Sequence, residues 1–568
     1  MLKKTDIIYI LFCTVVAMVL TGCSSTKHVG SGELLVDNVH IKVLDNKEYN
    51  ESDLYNYLRQ IPNHSVLGGL KLQLGLYNMS GSDSTKRVNR WLRKMGEAPV
   101  IFDEALTEAS KKEITRYFVN KGYLGAKVTV DTAVRADKKK VNVTYNVTTG
   151  TPHYIESIIY DIPNDTLREL ILSDTVKSKL KQNMLFDRNV MSEQRDAITK
   201  MLRENGYYAF DKEYITFVAD TTGGSYGVEL TMKATKPREN KNLPFYTTHK
   251  PFYVRNVVFI TDYDPAKQYE IKDFSNVDSL MYKGILVKYG EDKYINQRTL
   301  KECCFIDRGE LYNSAEVTKT YQALSRLGIL KFVNIELKPI GEIAGKAWLD
   351  AYVLLTPGKS QTVSLSLEGT NSEGDLGFGV GAGYQHRNIM GGSEVLDTKF
   401  KASYESLSGD FSGLINKNYS EYSGEVGITY PKFKAPFLNS KFKRKILAST
   451  EVSTQFNYQE RPEYTRIIAG AAYKYIWKER SKNTRHTVTL LDINYVYLPE
   501  SKINFLDSIQ NPLLRYSYED HFIMRMGYSF YHSNKKERDL LTSPFQENVY
   551  TVRAGVETAG NLLYGISN

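Results

Sequence analysis

Few side chains in this sequence are placed to make or break covalent bonds. Adjacent Cys303 and Cys304 have no metal-ligand spacing around them, and neighbouring cysteines seldom bridge each other. They read as two unbridged, partly buried thiols and not as a redox centre. Gly341-Glu-Ile-Ala-Gly345-Lys346 is one residue short of a phosphate-binding loop and continues with Ala347, so it reads as a turn. The nine histidines are dispersed and form no His-Glu-x-x-His pair. With no nucleophile–base constellation, the chain is expected to be no enzyme and to carry no cofactor. The cysteine whose surroundings do point to chemistry is Cys23.

Cys23 ends a leader. Lys3 and Lys4 form a positive start, and Ile7 to Leu20 is an apolar run too short to span a bilayer comfortably. Leu20-Thr21-Gly22-Cys23, followed by Ser24-Ser25, resembles the bacterial lipobox, cut before the cysteine whose thiol then forms a thioether. Residues 1–22 are therefore read as a lipoprotein signal peptide, Cys23 as the lipidation site carrying palmitate-type chains, and 23–33 as the anchor linker. Several acyl chains on one residue give stable anchoring where a single chain would be marginal.

Behind the leader, one phrase recurs three times: an amphipathic helix, a glycine, then two strands. The copies are Ile114–Tyr123 around Gly122, Ile198–Tyr207 around Gly206, and Tyr321–Ile329 around Gly328. Such a repeat exposes the building block of the architecture. Asp103, Asp187 and Asn313 stand where helix N-caps belong. A strand precedes each helical part, at Leu35–Val43, Tyr154–Asp161 and Phe252–Thr261, so each unit is a small sheet with helices on one face. The expected domains are 34–150, 151–236 and 251–357, with a polar, proline-bearing linker at 237–250. Between the first strand and first repeated helix, residues 51–59 read as helix, 66–81 as irregular, and 84–95 as a basic segment with Trp91 and Leu92 on its apolar side.

From residue 358 the period becomes two. Val363, Leu365 and Leu367 alternate with Ser364, Ser366 and Glu368; Leu376, Phe378, Val380, Ala382 and Tyr384 alternate with Gly377, Gly379, Gly381 and Gly383. Later runs at 396–404, 446–458 and 467–477 behave alike. Strands with one apolar face, aromatics near its ends and a polar opposite face are the signature of an outer-membrane barrel. The 41 tyrosines, against 23 phenylalanines and 3 tryptophans, suit wet-edged apolar faces. Residues 387–392 and 478–485 read as short turns and 498–520 as a long surface loop. About nine strands are expected, the last two at 549–557 and 558–563. Because lipid tolerates no open sheet edge, 358–568 is expected to be the N-terminal part of a barrel and the sequence to be truncated. Net charge is +9 from 74 basic and 65 acidic residues, scattered without a basic stripe, so no nucleic-acid partner is expected.

Two sets of residues resemble a known family. The repeats look like POTRA domains, and Gly383-Tyr-Gln-His-Arg387-Asn-Ile-Met-Gly-Gly392-Ser-Glu394, Tyr430–Pro436 and Glu557–Leu562 resemble the barrel of the BamA/TamA outer-membrane assembly superfamily. Ile61-Pro-Asn63, Leu76-Tyr-Asn78 and Arg90–Asp103 are most similar to the TamA-like lipoprotein branch of Bacteroidota. The resemblance implies three POTRA-like domains before a transmembrane β-barrel, in a lipid-anchored outer-membrane protein whose POTRA domains lie in the periplasm. It implies an assembly or translocation factor, with unfolded outer-membrane protein clients, outer-membrane lipids and a TamB-type inner-membrane protein as partners. Val363, Ser364, Leu365, Ser366, Leu367 and Gly369 would form its gate strand, and Arg387, Asn388, Gly391 and Gly392 its family-motif turn. The family's late Arg-Gly-Phe-type motif has no counterpart in these residues. A secretion or uptake pore, or a scaffold for the TamB-type partner, are the alternative expectations.

Overall fold

A computed structural model describes residues 25–66, 70–173, 178–222, 226–238, 246–267, 278–290, 292–372, 375–406, 418–435, 439, 446, 448–462, 464–479, 483–501, 519–534 and 550–560. The leader, Cys23, residues 239–245 of the 237–250 linker, and residues 436 and 561–562 of the quoted motifs lie outside them. The chain divides into two compact units, residues 1–199 with 211–236, and 200–210 with 237–568.

The first unit begins with β1 (Leu35–Val43), α1 (Glu51–Leu54), α2 (Leu72–Met79), α3 (Arg87–Met95), α4 (Glu104–Asn120), β2 (Lys127–Arg135) and β3 (Lys140–Thr148). The sheet order is β1-β3-β2, with β1 parallel and β2 antiparallel to β3. Alternation in β3 turns Val141, Val143, Tyr145 and Val147 inward. An irregularity between Val36 and Asn38 lets two β1 residues of opposite parity, Val36 and Val39, join the same core. Ile114 and Phe118 of α4 cover that core. Asp103 starts α4 by accepting from the amides of Ala105 and Leu106 at 2.8 and 3.2 Å. Gly122, at φ +95°, ends its last turn.

The second domain repeats the plan with β4 (Tyr154–Asp161), α5 (Asp165–Leu172), α6 (Arg188–Glu204), β5 (Ile215–Asp220) and β6 (Gly227–Ala234), in the order β4-β6-β5. Asp187 accepts from the amide of Asn189 at 2.8 Å, and Gly206 at φ +96° follows the helix.

One expectation in the first domain fails. Residues 66–81 are not irregular throughout: they contain α2, whose buried Leu74 and Asn78 lie one turn apart. Residues 84–95 include α3, which buries no residue, leaves Trp91 exposed and is held by the polar Asn89 and Arg93.

In the second unit the third domain comprises β7 (Phe252–Ile260), β8 (Ser279–Tyr282), β9 (Ile285–Lys288), α7 (Gln297–Cys303), α8 (Ser314–Leu324), β10 (Leu330–Ile343) and β11 (Lys346–Pro357). Its five-stranded sheet runs β10-β11-β7-β9-β8, so the β8–β9 hairpin adds two strands that the repeat does not announce. Gly328 departs from the other two glycines. α8 ends at Leu324, and Gly328 is absent from the positive-φ positions. A Cβ there would stand 3.3 Å from Val395 Cγ2, so close approach explains this glycine better than a helix stop.

A nine-stranded sheet follows: β12 (Gln361–Ser372), β13 (Asp375–His386), β14 (Val395–Ser406), β15 (Asn418–Tyr430), β16 (Ser449–Glu460), β17 (Tyr464–Glu479), β18 (Thr484–Ser501), β19 (His521–Ser533) and β20 (Thr551–Ala559). Each strand is antiparallel to the next. The expected strand pair at 549–557 and 558–563 is one strand where described, because β20 pairs with β19 unbroken from Thr551 to Ala559. The expected long loop starts later than Leu498, since β18 continues to Ser501. Among the described residues no helix is long and apolar enough to cross a membrane.

Candidate functional site

β12 stands at one edge of the nine-stranded sheet and β20 at the other, and among the described residues they do not pair with each other. β12 pairs with β13 in full register from Gln361↔His386 to Ser372↔Asp375. Alternation therefore sorts the proposed gate residues onto two faces. Val363, Leu365 and Leu367 share one face and are 70, 81 and 85% exposed. The strand interior of the sheet continues that apolar face with Phe378, Val380, Phe400, Tyr422, Val426 and Phe456, all exposed. Ser364 and Ser366 lie on the other face, opposite Gly383 and Gly381. A Cβ at either glycine would stand 2.5 Å from the facing serine Oγ, so the serine would have to turn aside. Gly369 faces Phe378 and has open space beside it.

The serine face carries charge. Lys401 pairs with Glu368 at 2.6 Å, Lys399 with Glu425 at 3.8 Å, and Arg525 with Asp492 at 2.7 Å. These pairs are half-exposed, so each contributes little to stability and mainly keeps this face wet.

The turn between β13 and β14 is a docking point for the third domain. The Asn388 side chain donates to Tyr294 O at 2.5 Å and accepts from Ser393 N at 2.8 Å, so one amide clamps both elements. In return Asn296 donates its backbone N–H to Gly391 O at 2.9 Å and its side chain to Met390 O at 3.1 Å. Gly391 adopts φ +76°, and a Cβ there would stand 2.7 Å from Asn296 Nδ2. At Gly392 a Cβ would meet the Glu394 carboxylate, which accepts the Gly392 N–H at 2.9 Å. Arg387 closes the strand end by donating to Ser360 O and, through Nε, to Gln385 Oε1, each at 2.8 Å. Two further contacts fasten the same junction: Ser393 Oγ accepts from Ile329 N at 3.2 Å, and Lys432 reaches Glu302 at 3.4 Å. Beneath it, burial raises the Tyr294 phenol, assisted by the charge of Asp262, and its hydroxyl donates to Thr261 O at 2.7 Å.

The sequence motif singled out Arg387, Asn388, Gly391 and Gly392 and ran on through Ser393 and Glu394, but nothing in it named their partners Tyr294 and Asn296 in the third domain. Asn296 reads in sequence only as a polar residue before a helix. Cys303 and Cys304 form no disulfide; burial, and next the charge of Glu302, push the Cys303 thiol up to about 12.

Residues 36–150 match the family described as "POTRA: Surface antigen variable number repeat". The first domain is a POTRA domain. The second and third share its plan of a parallel strand pair, covering helices and an antiparallel third strand, and are POTRA-like. Among curated proteins none matches the chain in sequence. Similar solved structures include BamA POTRA3-5 of Haemophilus influenzae, at 18% identity, 58% of this chain, 99% of that chain and TM-score 0.29. BamA of Haemophilus ducreyi lacking POTRA domains 1-3 follows at 12% identity, 72% of this chain and TM-score 0.37, and CdiB of Acinetobacter baumannii at 10%, 72% and 0.34. The chain spans 64% and 63% of the length of those last two.

Proposed function

We propose that this chain is an outer-membrane assembly or translocation factor. An acylated Cys23 anchors it, POTRA domains in the periplasm receive client chains, and the nine-stranded sheet stands in the bilayer as part of a barrel with β12 as a lateral seam. The observation that carries this reading is the continuous exposed apolar face of a sheet that follows POTRA-type domains. Each side chain such as Leu365 or Leu367 costs about 1.5–3 kcal/mol to keep in water, and water-soluble proteins rarely expose contiguous stripes of them. Lipid relieves that cost.

A client strand would add to the free edge of β12 through main-chain hydrogen bonds, with its alternate side chains matching the two faces. No nucleotide chemistry is required, because the client's own insertion supplies the free energy. Outer-membrane lipids and unfolded outer-membrane proteins are then the partners, and a TamB-type inner-membrane protein would dock on the POTRA domains. A secretion or uptake pore would instead draw clients along the charged face.

A photo-crosslinking residue at Ser364, and separately at Lys399, in the natural full-length protein in cells separates these readings. Adducts between position 364 and nascent outer-membrane barrel proteins are expected. Adducts of exported soluble proteins at 399 alone would favour the pore, and no client adduct at either position would overturn the assembly reading.

A further inference from the structure

Helix α3 presents an apolar stripe that its own domain leaves bare. Val88, Trp91 and Met95 stand at i, i+3 and i+7 on one face and are 68, 58 and 55% exposed. Lys86, Arg87, Arg90 and Lys94 are exposed alongside them, and no acidic residue lies between 84 and 96. The flanking acids are occupied within the fold: Asp83 accepts from Thr85 N at 2.9 Å, and Glu97 accepts from His64 N at 2.9 Å. The helix is firmly seated all the same. Arg93 donates to Ser80 Oγ at 3.1 Å and Gly81 O at 2.9 Å, while Asn89 accepts from Gly81 N at 2.9 Å. A bare tryptophan on a rigid, basic helix is the arrangement of an interfacial membrane anchor.

The beginning of the described chain is tied to the same corner. Asn78 Nδ2 donates to Ser25 O at 3.0 Å, and Lys27 Nζ donates to Asn78 O and Ser80 O at 2.9 and 3.0 Å. His28 meets the Tyr77 ring edge-on at 5.5 Å. One residue, Ser24, separates Cys23 from Ser25, a reach of at most roughly 7 Å between their Cα atoms. Any acyl group on Cys23 would therefore enter lipid beside the helix hairpin that carries Trp91.

We propose that α3 is a membrane-surface anchor for anionic phospholipid: Val88, Trp91 and Met95 enter the headgroup boundary while Lys86, Arg87, Arg90 and Lys94 bind lipid phosphates. The proposal rests on the reading of this chain as a lipid-anchored membrane protein. It adds that the first POTRA domain lies down on the bilayer instead of hanging clear of it.

The test uses the full chain reconstituted into vesicles of phosphatidylglycerol or of phosphatidylcholine alone, with lipids brominated near the ester end of the acyl chain. Emission present in the natural protein and missing from Trp91→Phe isolates Trp91 from Trp348 and Trp477. That difference emission should be quenched in the anionic vesicles, recover as salt rises, and escape quenching in an Arg87→Glu, Arg90→Glu, Lys94→Glu variant. Unquenched Trp91 emission in both lipids overturns the proposal, as does quenching indifferent to lipid charge, salt and the charge reversals. Running the same comparison in Cys23→Ser, with the mass of the natural N-terminus recorded, separates the two readings. Quenching retained without any acyl mass supports the helix and sinks the lipid anchor; an acylated Cys23 beside unquenched Trp91 does the reverse.

Discussion

At Gly122 a methyl group would have no room and the wrong backbone. Its φ of +95° is the left-handed region, and the added Cβ would lie 2.8 Å from Phe186 O, a backbone atom that cannot rotate aside. The same residue therefore ends α4 and lets the second domain approach, with Lys121 Nζ reaching Asp187 Oδ2 at 2.8 Å beside it. Asp37 is the more informative single charge. Its Oδ1 takes Lys71 and Lys140, both at 3.2 Å. Burial alone would raise the carboxyl, but the two lysines outweigh it and hold it below its ordinary 3.8. A lowered carboxylate contributes stability at neutral pH and loses it only as pH falls through the folded-state value. Asp37→Asn is accordingly expected to cost about 1–2 kcal/mol at pH 7. The gap to the natural protein should close below pH 3.8. Denaturant melts followed across that range check it, and a gap that persists in acid would show that the ion pairs are not its source.

Elements differ in how much of themselves the sequence discloses. Period two over 376–384 is enough to place β13, because a half-exposed strand must alternate and nothing else needs to be known. The Asp103 and Asp187 caps and the glycines at 122 and 206 mark helix ends for equally local reasons. The failures have a common cause in distance along the chain. α2 forms where polar and apolar signals mix, and its buried Asn78 donates its side-chain amide to Ser25 O, 53 residues away. The β8–β9 hairpin is drawn into its sheet by β7, and Gly328 is kept small by Val395. The junction of the third domain with the β13–β14 turn depends on pairs such as Asn388 and Tyr294, 94 residues apart. Spacing cannot reveal a bond whose partner lies in another domain. For that junction, Asn388→Ala removes one side chain from two backbone partners and should cost about 1–3 kcal/mol of local stability. Amide exchange should quicken in 387–394 and in 294–296 together, while α4 keeps its protection; an unchanged 294–296 would mean that the clamp is dispensable.

For the whole molecule, the three proposed means of holding lipid, Cys23, α3 and the sheet, are unequal. Several acyl chains on Cys23 would anchor the chain stably, but the sheet offers many side chains worth about 1.5–3 kcal/mol each and needs no help from them. Cys23→Ser should therefore lose its acyl mass yet stay in the membrane pellet after a urea wash. Recovery of that variant in the soluble fraction would refute the membrane role of the sheet. The pairing of β12 with β13 has one more consequence. Sliding β12 by one residue would bring Leu365 and Leu367 among the charges, but sliding it by two would restore every side to its own side. The bare ribbon of Gly377, Gly379, Gly381 and Gly383 offers no knob to resist such a shift. The β12–β13 pairing is thus geared like a rack with a two-residue pitch, which permits movement in even steps and forbids odd ones.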